Sequence, residues 1–163
     1  MALSASGFDE RQLRDVFGAF PTGVVALSTT IDARPIGMAA SSFIPVSLDP
    51  PLVSICIANS SSTWPRIRDA AIFGLSVLGE GHDATCRRLS GPEADRFTDV
   101  AWYASERGAV LLDDAAAWFE CTLEREVPAG DHLIALFGVI AAELRAEIEP
   151  LVFHRSGFRK LHA

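Results

Sequence analysis

Residues 23–58 read GVVALSTTIDARPIGMAASSFIPVSLDPPLVSICIA. Three extended stretches stand out in it, at 23–30, 36–46 and 52–58. Each is rich in β-branched and apolar residues. Asp32-Ala33-Arg34-Pro35 separates the first two as a turn. Leu48-Asp49-Pro50-Pro51 separates the last two, and no regular element tolerates that sequence internally. No helical period lies between the stretches. Parallel strands need such a crossover, so antiparallel pairing is expected.

The rest of the chain repeats the texture. Residues 72–78, 116–127, 133–144 and 151–158 read as strands, and 101–103 as a brief one. Phe8, Leu13, Val16, Phe17 and Phe20 recur at helical spacing, and Pro21-Thr22-Gly23 stops that helix. A short helix is expected over 64–69, with Pro65 in its first turn and Thr63 or Ser62 as N-cap. Another is expected over 82–90. About seven strands and two or three short helices favour an antiparallel barrel over a doubly wound sheet. No repeat or linker divides the 163 residues, so one domain is expected.

Composition narrows the function. Apolar residues make up 49% of the chain, enough for a core, and the net charge of −7 argues against general nucleic-acid binding. The bases are 13 Arg and a single Lys, beside 24 Ala. That pattern suggests a GC-rich coding bias, so abundant Arg is not itself a signal. Cys56, Cys86 and Cys121 form no CxxC pair, which excludes a zinc knuckle and suits a reducing cytoplasm. Residues 1–7 lack the basic and apolar regions of a secretory signal. The longest apolar run, 133–142, is half of the roughly 20 residues a membrane span needs. A soluble cytoplasmic protein is expected.

Candidate chemistry lies in the polar segments. Gly79-Glu80-Gly81-His82-Asp83-Ala84 fits GxGxxA, but its mid-chain context favours a plain strand-to-helix turn over a dinucleotide site. Asn59-Ser60-Ser61-Ser62-Thr63 precedes a helix. Hydroxyls and free N–H groups there suit an anion, although one N-cap alone would also account for them. Arg96 could be a bidentate phosphate partner or a surface residue paired with Asp95 or Asp99. His132 follows Gly130-Asp131 and either satisfies a local hydrogen bond or presents its imidazole at a barrel rim. No HxxxH or HExxH occurs, so metal catalysis is not expected. No GxSxG elbow occurs either. The small residues Gly37 to Ser42 would let a planar ligand approach the backbone, or simply pack tightly.

Taken together these segments resemble the short-chain flavin reductases, the FMN-binding split-barrel family. The likeness runs through Phe17-Gly18-Ala19-Phe20-Pro21-Thr22-Gly23 and Arg34-Pro35-Ile36-Gly37-Met38-Ala39-Ala40-Ser41-Ser42-Phe43. It continues in Leu48-Asp49-Pro50-Pro51, the Ser-Ser-Ser-Thr run, Asp95-Arg96-Phe97, Gly130-Asp131-His132 and Leu151-Val152-Phe153-His154-Arg155. The resemblance implies a six-stranded Greek-key split barrel with short flanking helices, working as a homodimer. It implies flavin, FMN or FAD, bound by Met38, Ala39, Ala40, Ser41 and Ser42. Phosphate would be held by Ser60, Ser61, Ser62 and Thr63, with Arg96 and Phe97 beside them. His132 would stand near the nicotinamide of NADH or NADPH as the catalytic candidate. Two departures from the family pattern are Ala39, where Thr is common, and Ser76, where Asn is common.

The implied activity is hydride transfer from a nicotinamide to flavin, with reduced flavin passing to a separate oxygenase. The alternatives are a reductase that holds FMN and acts on another acceptor, and a flavin carrier or sensor without turnover. Neither a nucleic acid nor a membrane is expected as partner.

Overall fold

The computed structural model of the protein describes residues 7 and 9–161. Residues 1–6, Phe8, His162 and Ala163 lie outside the described residues, and with them parts of the helix and signal readings. The chain runs through helix α1 (Glu10–Phe17) and strands β1 (Thr22–Gly23), β2 (Val25–Ile31), β3 (Arg34–Ala40), β4 (Ile44–Leu48) and β5 (Pro51–Ala58). Helix α2 (Trp64–Ile67), strand β6 (Phe73–Val77), helix α3 (Asp83–Leu89) and a 3₁₀ turn (Glu93–Asp95) follow. Six further strands complete the order: β7 (Trp102–Ala104), β8 (Val110–Leu112), β9 (Ala117–Ala129), β10 (His132–Leu144), β11 (Val152–His154) and β12 (Gly157–Arg159).

The fold is mainly β and antiparallel, as expected. Its principal sheet has the order β3-β2-β6-β9-β10-β5-β4, seven strands where six were expected. The extra strand arises because the stretch over 36–46 is broken at residues 41–43 into β3 and β4. The stretch over 151–158 is likewise a hairpin, β11 and β12, around Arg155 and Ser156. Strand β8 carries no alternation and its three residues are all buried, so its sequence gives no strand period.

The two edges of the sheet, β3 and β4, are successive pieces of one chain. Three intervening residues reach about 10–14 Å. Seven strands spaced ~4.8 Å apart would lie nearly 30 Å wide if flat. The sheet therefore rolls up on itself. Ser42 holds the seam: its hydroxyl donates to the Cys56 carbonyl at 3.0 Å and accepts from the Cys56 N–H at 2.9 Å. One side chain thus satisfies both backbone groups of a residue lying beyond the paired part of β4.

The barrel interior follows the strand period. Val25 and Leu27, Val53, Ile55 and Ile57, Phe73 and Leu75, and Ala135 and Phe137 point into one cluster. Each fully buried Leu or Phe among them contributes roughly 1.5–3 kcal/mol. Trp64 of α2 enters the same cluster, stacked on Phe73 at 6.0 Å and edge-on to Phe137 at 6.2 Å. The other face of β2, Val24 and Ala26, packs against Cys86 and Leu89 of α3 in a second cluster. Gly37 faces Ser28 where β2 and β3 cross closely; a Cβ there would sit 2.4 Å from the Leu27 carbonyl oxygen. Helix α1 buries none of its residues. Among the described residues no helix is long and apolar enough to cross a membrane.

Candidate functional site

The site is built on the barrel seam. Beyond Gly37, β3 continues through Met38, Ala39 and Ala40 into Ser41 and Ser42. These five residues line a cavity of about 340 Å³ together with Cys56, Ile57 and Ala58 of β5, Ser61 and His132. Register explains why distant residues meet. His132 opens β10 directly opposite Ala58, the last residue of β5, so it adjoins the start of the polar run. The run turns back at once, with Asn59 donating its backbone N–H to the Asp131 carbonyl at 2.9 Å. The Asn59 amide also donates to the Gly130 carbonyl at 3.2 Å.

Within the run the hydroxyls divide their tasks. Ser61, rather than Thr63 or Ser62, caps α2: its hydroxyl accepts from the Trp64 N–H at 3.1 Å. Thr63 occupies the cap position but makes no side-chain capping bond. Its buried hydroxyl instead accepts from Arg96 Nη1 at 2.7 Å. The correction is geometric, because Thr63 already has helical dihedral angles, φ −82° and ψ −45°, which turn its side chain away from the helix end. Ser60 and Ser62 are exposed on the same loop.

Arg96 is not the surface residue that an Asp95 or Asp99 pairing would make it. Its Nη1 also donates to the Gly37 carbonyl at 2.9 Å, and its Nε donates to the Gly91 carbonyl at 2.9 Å. It therefore clamps the loop after α3 onto β3 and the polar run. Burial pushes its pKa below the ordinary Arg value. No carboxylate bonds this guanidinium among the described residues, so its charge remains available to an anion. Phe97, next in sequence, turns into the second core cluster and borders a different cavity, of about 510 Å³, with Arg34, Arg66 and Arg96.

His132 is half-exposed, and its Nδ1 lies 2.7 Å from Asp131 Oδ1. That hydrogen bond holds the Asp131 carboxyl below its usual range. Asp131 accepts from the Nδ1–H, which leaves Nε2 as the acceptor nitrogen of a neutral ring. GxGxxA is a strand-to-helix turn, as its context suggested. The Gly79 N–H donates to His82 Nδ1 at 3.1 Å, and β6 and its neighbours are antiparallel, not part of a βαβ unit.

The family described as Flavin reductase like domain matches residues 17–162. The chain belongs to that family. A probable flavin reductase of Rhizobium meliloti (strain 1021) is 40% identical over 157 residues, 96% of this chain and 50% of its own length. This chain thus spans half of that relative. The reductase subunit HsaB of a flavin-dependent monooxygenase, from Rhodococcus jostii (strain RHA1), is 37% identical over 96% of this chain and 80% of its own length. Among solved structures, an NADH:FAD oxidoreductase of Streptomyces globisporus superposes with TM-score 0.90 at 37% identity, covering 100% of this chain and 99% of that one. The same oxidoreductase in complex with NAD and FAD fragments gives TM-score 0.89 at 38% identity, over 94% of this chain and 93% of that one.

For a flavin reductase like domain, two groups of site residues went unread in the sequence. Cys56, Ile57 and Ala58 floor the cavity, yet their apolar run signals only a strand. Arg14 and Arg155 line a second cavity with His132. Arg155 falls in the hairpin hidden within 151–158, and only recognition of a two-residue turn would have set it apart.

Proposed function

We propose that this chain is an NAD(P)H-dependent flavin reductase whose reduced FMN or FAD passes to a separate oxygenase. The observation that carries the reading is the seam cavity, walled by a run of small residues and lined also by Ser61 and His132; Arg96 and Thr63 do not line it, but meet each other at 2.7 Å, with Arg96 tied to Gly37 immediately before that run. The residues present fit a flavin. Ala39, Ala40 and Ser41 leave the backbone of β3 open to a flat ring, with its N–H and C=O groups available to the ring's polar edge. Thr63 and Arg96, with Ser60, Ser61 and Ser62 on the same loop, fit a phosphate.

Bound flavin supplies the redox chemistry, accepting the hydride that a nicotinamide donates. The chain's part is to bind, orient and exclude. Arg96 neutralises phosphate charge while fixing β3 through Gly37. Met38 and Ile57 close the cavity with apolar surface. His132, its Nδ1 engaged by Asp131, directs Nε2 to the nicotinamide carboxamide and orients the donor. No side chain acts as a nucleophile.

The working unit is a homodimer in the cytoplasm, with the chain forming one domain. Support for the dimer comes from Ile44, Val46 and Leu48, which leave edge strand β4 apolar and 55%, 49% and 96% exposed. The three free cysteines support a reducing compartment.

Anaerobic stopped-flow absorbance at the oxidised-flavin band tests the activity, using FMN or FAD with NADH or NADPH. Bleaching within a turnover supports the reading. Flavin binding without bleaching by either nucleotide would replace it with a carrier.

A further inference from the structure

The turn between β6 and α3 carries a titratable group outside the flavin site. His82 engages both backbone groups of Gly79: its N–H donates to the Gly79 carbonyl at 2.9 Å, and its Nδ1 accepts from the Gly79 N–H at 3.1 Å. The His82 carbonyl accepts from the Cys86 N–H at 2.8 Å and so starts α3. Gly79 is hemmed in. A Cβ there would lie 2.6 Å from the Asp114 carbonyl oxygen and 2.8 Å from Ile148 Cγ2, and the residue bridges to Pro150. Four segments therefore meet at one imidazole: the end of β6, the start of α3, the loop at 113–114 and the approach to β11.

Each of these segments brings charge or a titratable group near the ring. On the turn, Glu80 pairs with Lys160 at 3.3 Å, and its N–H donates to the Glu149 carbonyl at 2.8 Å. On α3, Asp83 pairs with Arg87 at 3.6 Å, and burial pushes the Cys86 thiol up, so it stays neutral. From the loop after β8, the Asp114 carboxylate and the Asp113 backbone favour the protonated imidazole. Burial outweighs them and lowers the His82 pKa below 6.5. At neutral pH the ring is uncharged and can accept at Nδ1. A proton on Nδ1 turns that acceptor into a donor, set against the N–H it was holding.

The consequence travels along α3. This helix has seven residues, too few to persist without its surroundings. Its two buried side chains, Cys86 and Leu89, hold it against Val24 and Ala26. Its far end reaches the candidate site. The loop leaving α3 presents the Gly91 carbonyl, which accepts from Arg96 Nε at 2.9 Å. The same guanidinium donates to the Gly37 carbonyl at 2.9 Å and to the Thr63 hydroxyl at 2.7 Å. One short element thus joins His82 at its start to the phosphate-facing arginine beyond its end.

We propose that His82 is a proton-operated latch on flavin affinity. With Nδ1 unprotonated, the turn is closed, α3 is docked, and the Gly91 carbonyl sets Arg96 for the phosphate. With Nδ1 protonated, the Gly79 N–H loses its acceptor, α3 loosens, and Arg96 loses one of its three fixed partners. Flavin binds the closed state more tightly, and by linkage its binding opposes protonation of His82. Flavin is held at neutral pH and released as the pH falls below about 6.5. This inference rests on the flavin reading of the Arg96 site and adds a control to it.

The test compares the wild type with His82→Asn, whose amide oxygen accepts from Gly79 at any pH, at about pH 7.5 and about pH 5.5. Calorimetric titration with FAD and with FMN gives the affinities. The wild-type affinity divided by that of His82→Asn should be near one at the higher pH and about fivefold lower at the lower pH. The ratio removes titration common to both proteins, including that of the FMN monoester, whose second pKa is about 6. Amide hydrogen exchange of the ligand-free proteins is the second arm. Protection over 83–91, corrected for intrinsic rates, should fall about tenfold in the wild type relative to His82→Asn at the lower pH, with β9 and β10 unchanged. His82→Leu, which has no acceptor, should show the weaker affinity already at the higher pH. An affinity ratio that does not move with pH would overturn the inference, and so would equal protection of 83–91 in both proteins. Binding of neither flavin at any pH would overturn the reductase reading and the coupling with it, while the exchange arm would still decide the latch.

Discussion

Ser42 and Arg96 show how single side chains of the candidate site each hold several distant groups at once. Ser42 satisfies both backbone groups of Cys56, so Ser42→Ala leaves two partly buried groups unpaired. The expected loss is about 1–3 kcal/mol in urea unfolding, against no measurable change for exposed Ser41→Ala. Arg96→Ala should weaken flavin binding at least about tenfold in fluorescence titration. Arg96→Lys should not restore it, because three separate acceptors, on Gly37, Gly91 and Thr63, use the guanidinium geometry. His82 adds a pH dependence. Burial lowers its pKa below 6.5, outweighing the opposing pull of Asp114 and Asp113, and its Nδ1 must stay unprotonated to accept from Gly79. The unfolded chain therefore binds this proton more readily than the folded one. Stability from this source is full above about pH 6.5 and falls as the pH drops toward the lower folded value. A Tm series from pH 8 to pH 5 should show that slope, and His82→Asn should flatten it.

At the scale of elements, legibility followed period and punctuation. The helices near 10–17 and 83–89 and the strands near 52–58, 72–78, 116–127 and 133–144 were read from apolar spacing and from Pro and Gly boundaries. The breaks at 41–43 and 155–156 were not, since neither contains Gly or Pro. Each break depends on partners far away in sequence: Cys56 for the first, and the Gly18 carbonyl for the second. Thr63 does occupy the cap position of α2, but the side chain that makes the capping bond, Ser61, was not legible, for a related reason. Several hydroxyls compete in the Ser-Ser-Ser-Thr run, and Arg96, 33 residues away, decides that Thr63 is taken. Gly37 shows the reverse case, a residue whose necessity is visible only in pairing. Gly37→Ala would press a methyl carbon against the Leu27 backbone and force β2 and β3 apart. The expected result is a loss of more than about 2 kcal/mol, or no soluble protein, with flavin binding reduced because the residue-37 carbonyl that Arg96 bonds is displaced. Denaturant midpoints and flavin titration would read both effects.

For the whole molecule, the family resemblance carried what spacing could not: the order of short motifs pointed to a flavin site before any contact was visible. Met38 to Ser42, Ser61 and His132 do meet in one cavity, while Phe97 turns away into the core. The surface outside the site has its own expectation. If β4 is the dimer edge, Val46→Lys should shift sedimentation from dimer to monomer, whereas a like change at exposed Arg34 should not.

Among the described residues, the Ser42–Cys56 hydrogen bonds join the rolled sheet at its seam by a side chain rather than by a full backbone ladder, and that place is the wall of the candidate cavity. A ligand seated there spans both sides of the join. Occupancy should therefore slow amide hydrogen exchange along residues 38–48 and 52–58 far more than in β6 or β9. In the free protein these same amides should be the first of the barrel to exchange. The barrel would then be loosest at its candidate site, and each release of a ligand would leave that site briefly less protected than the rest of the sheet.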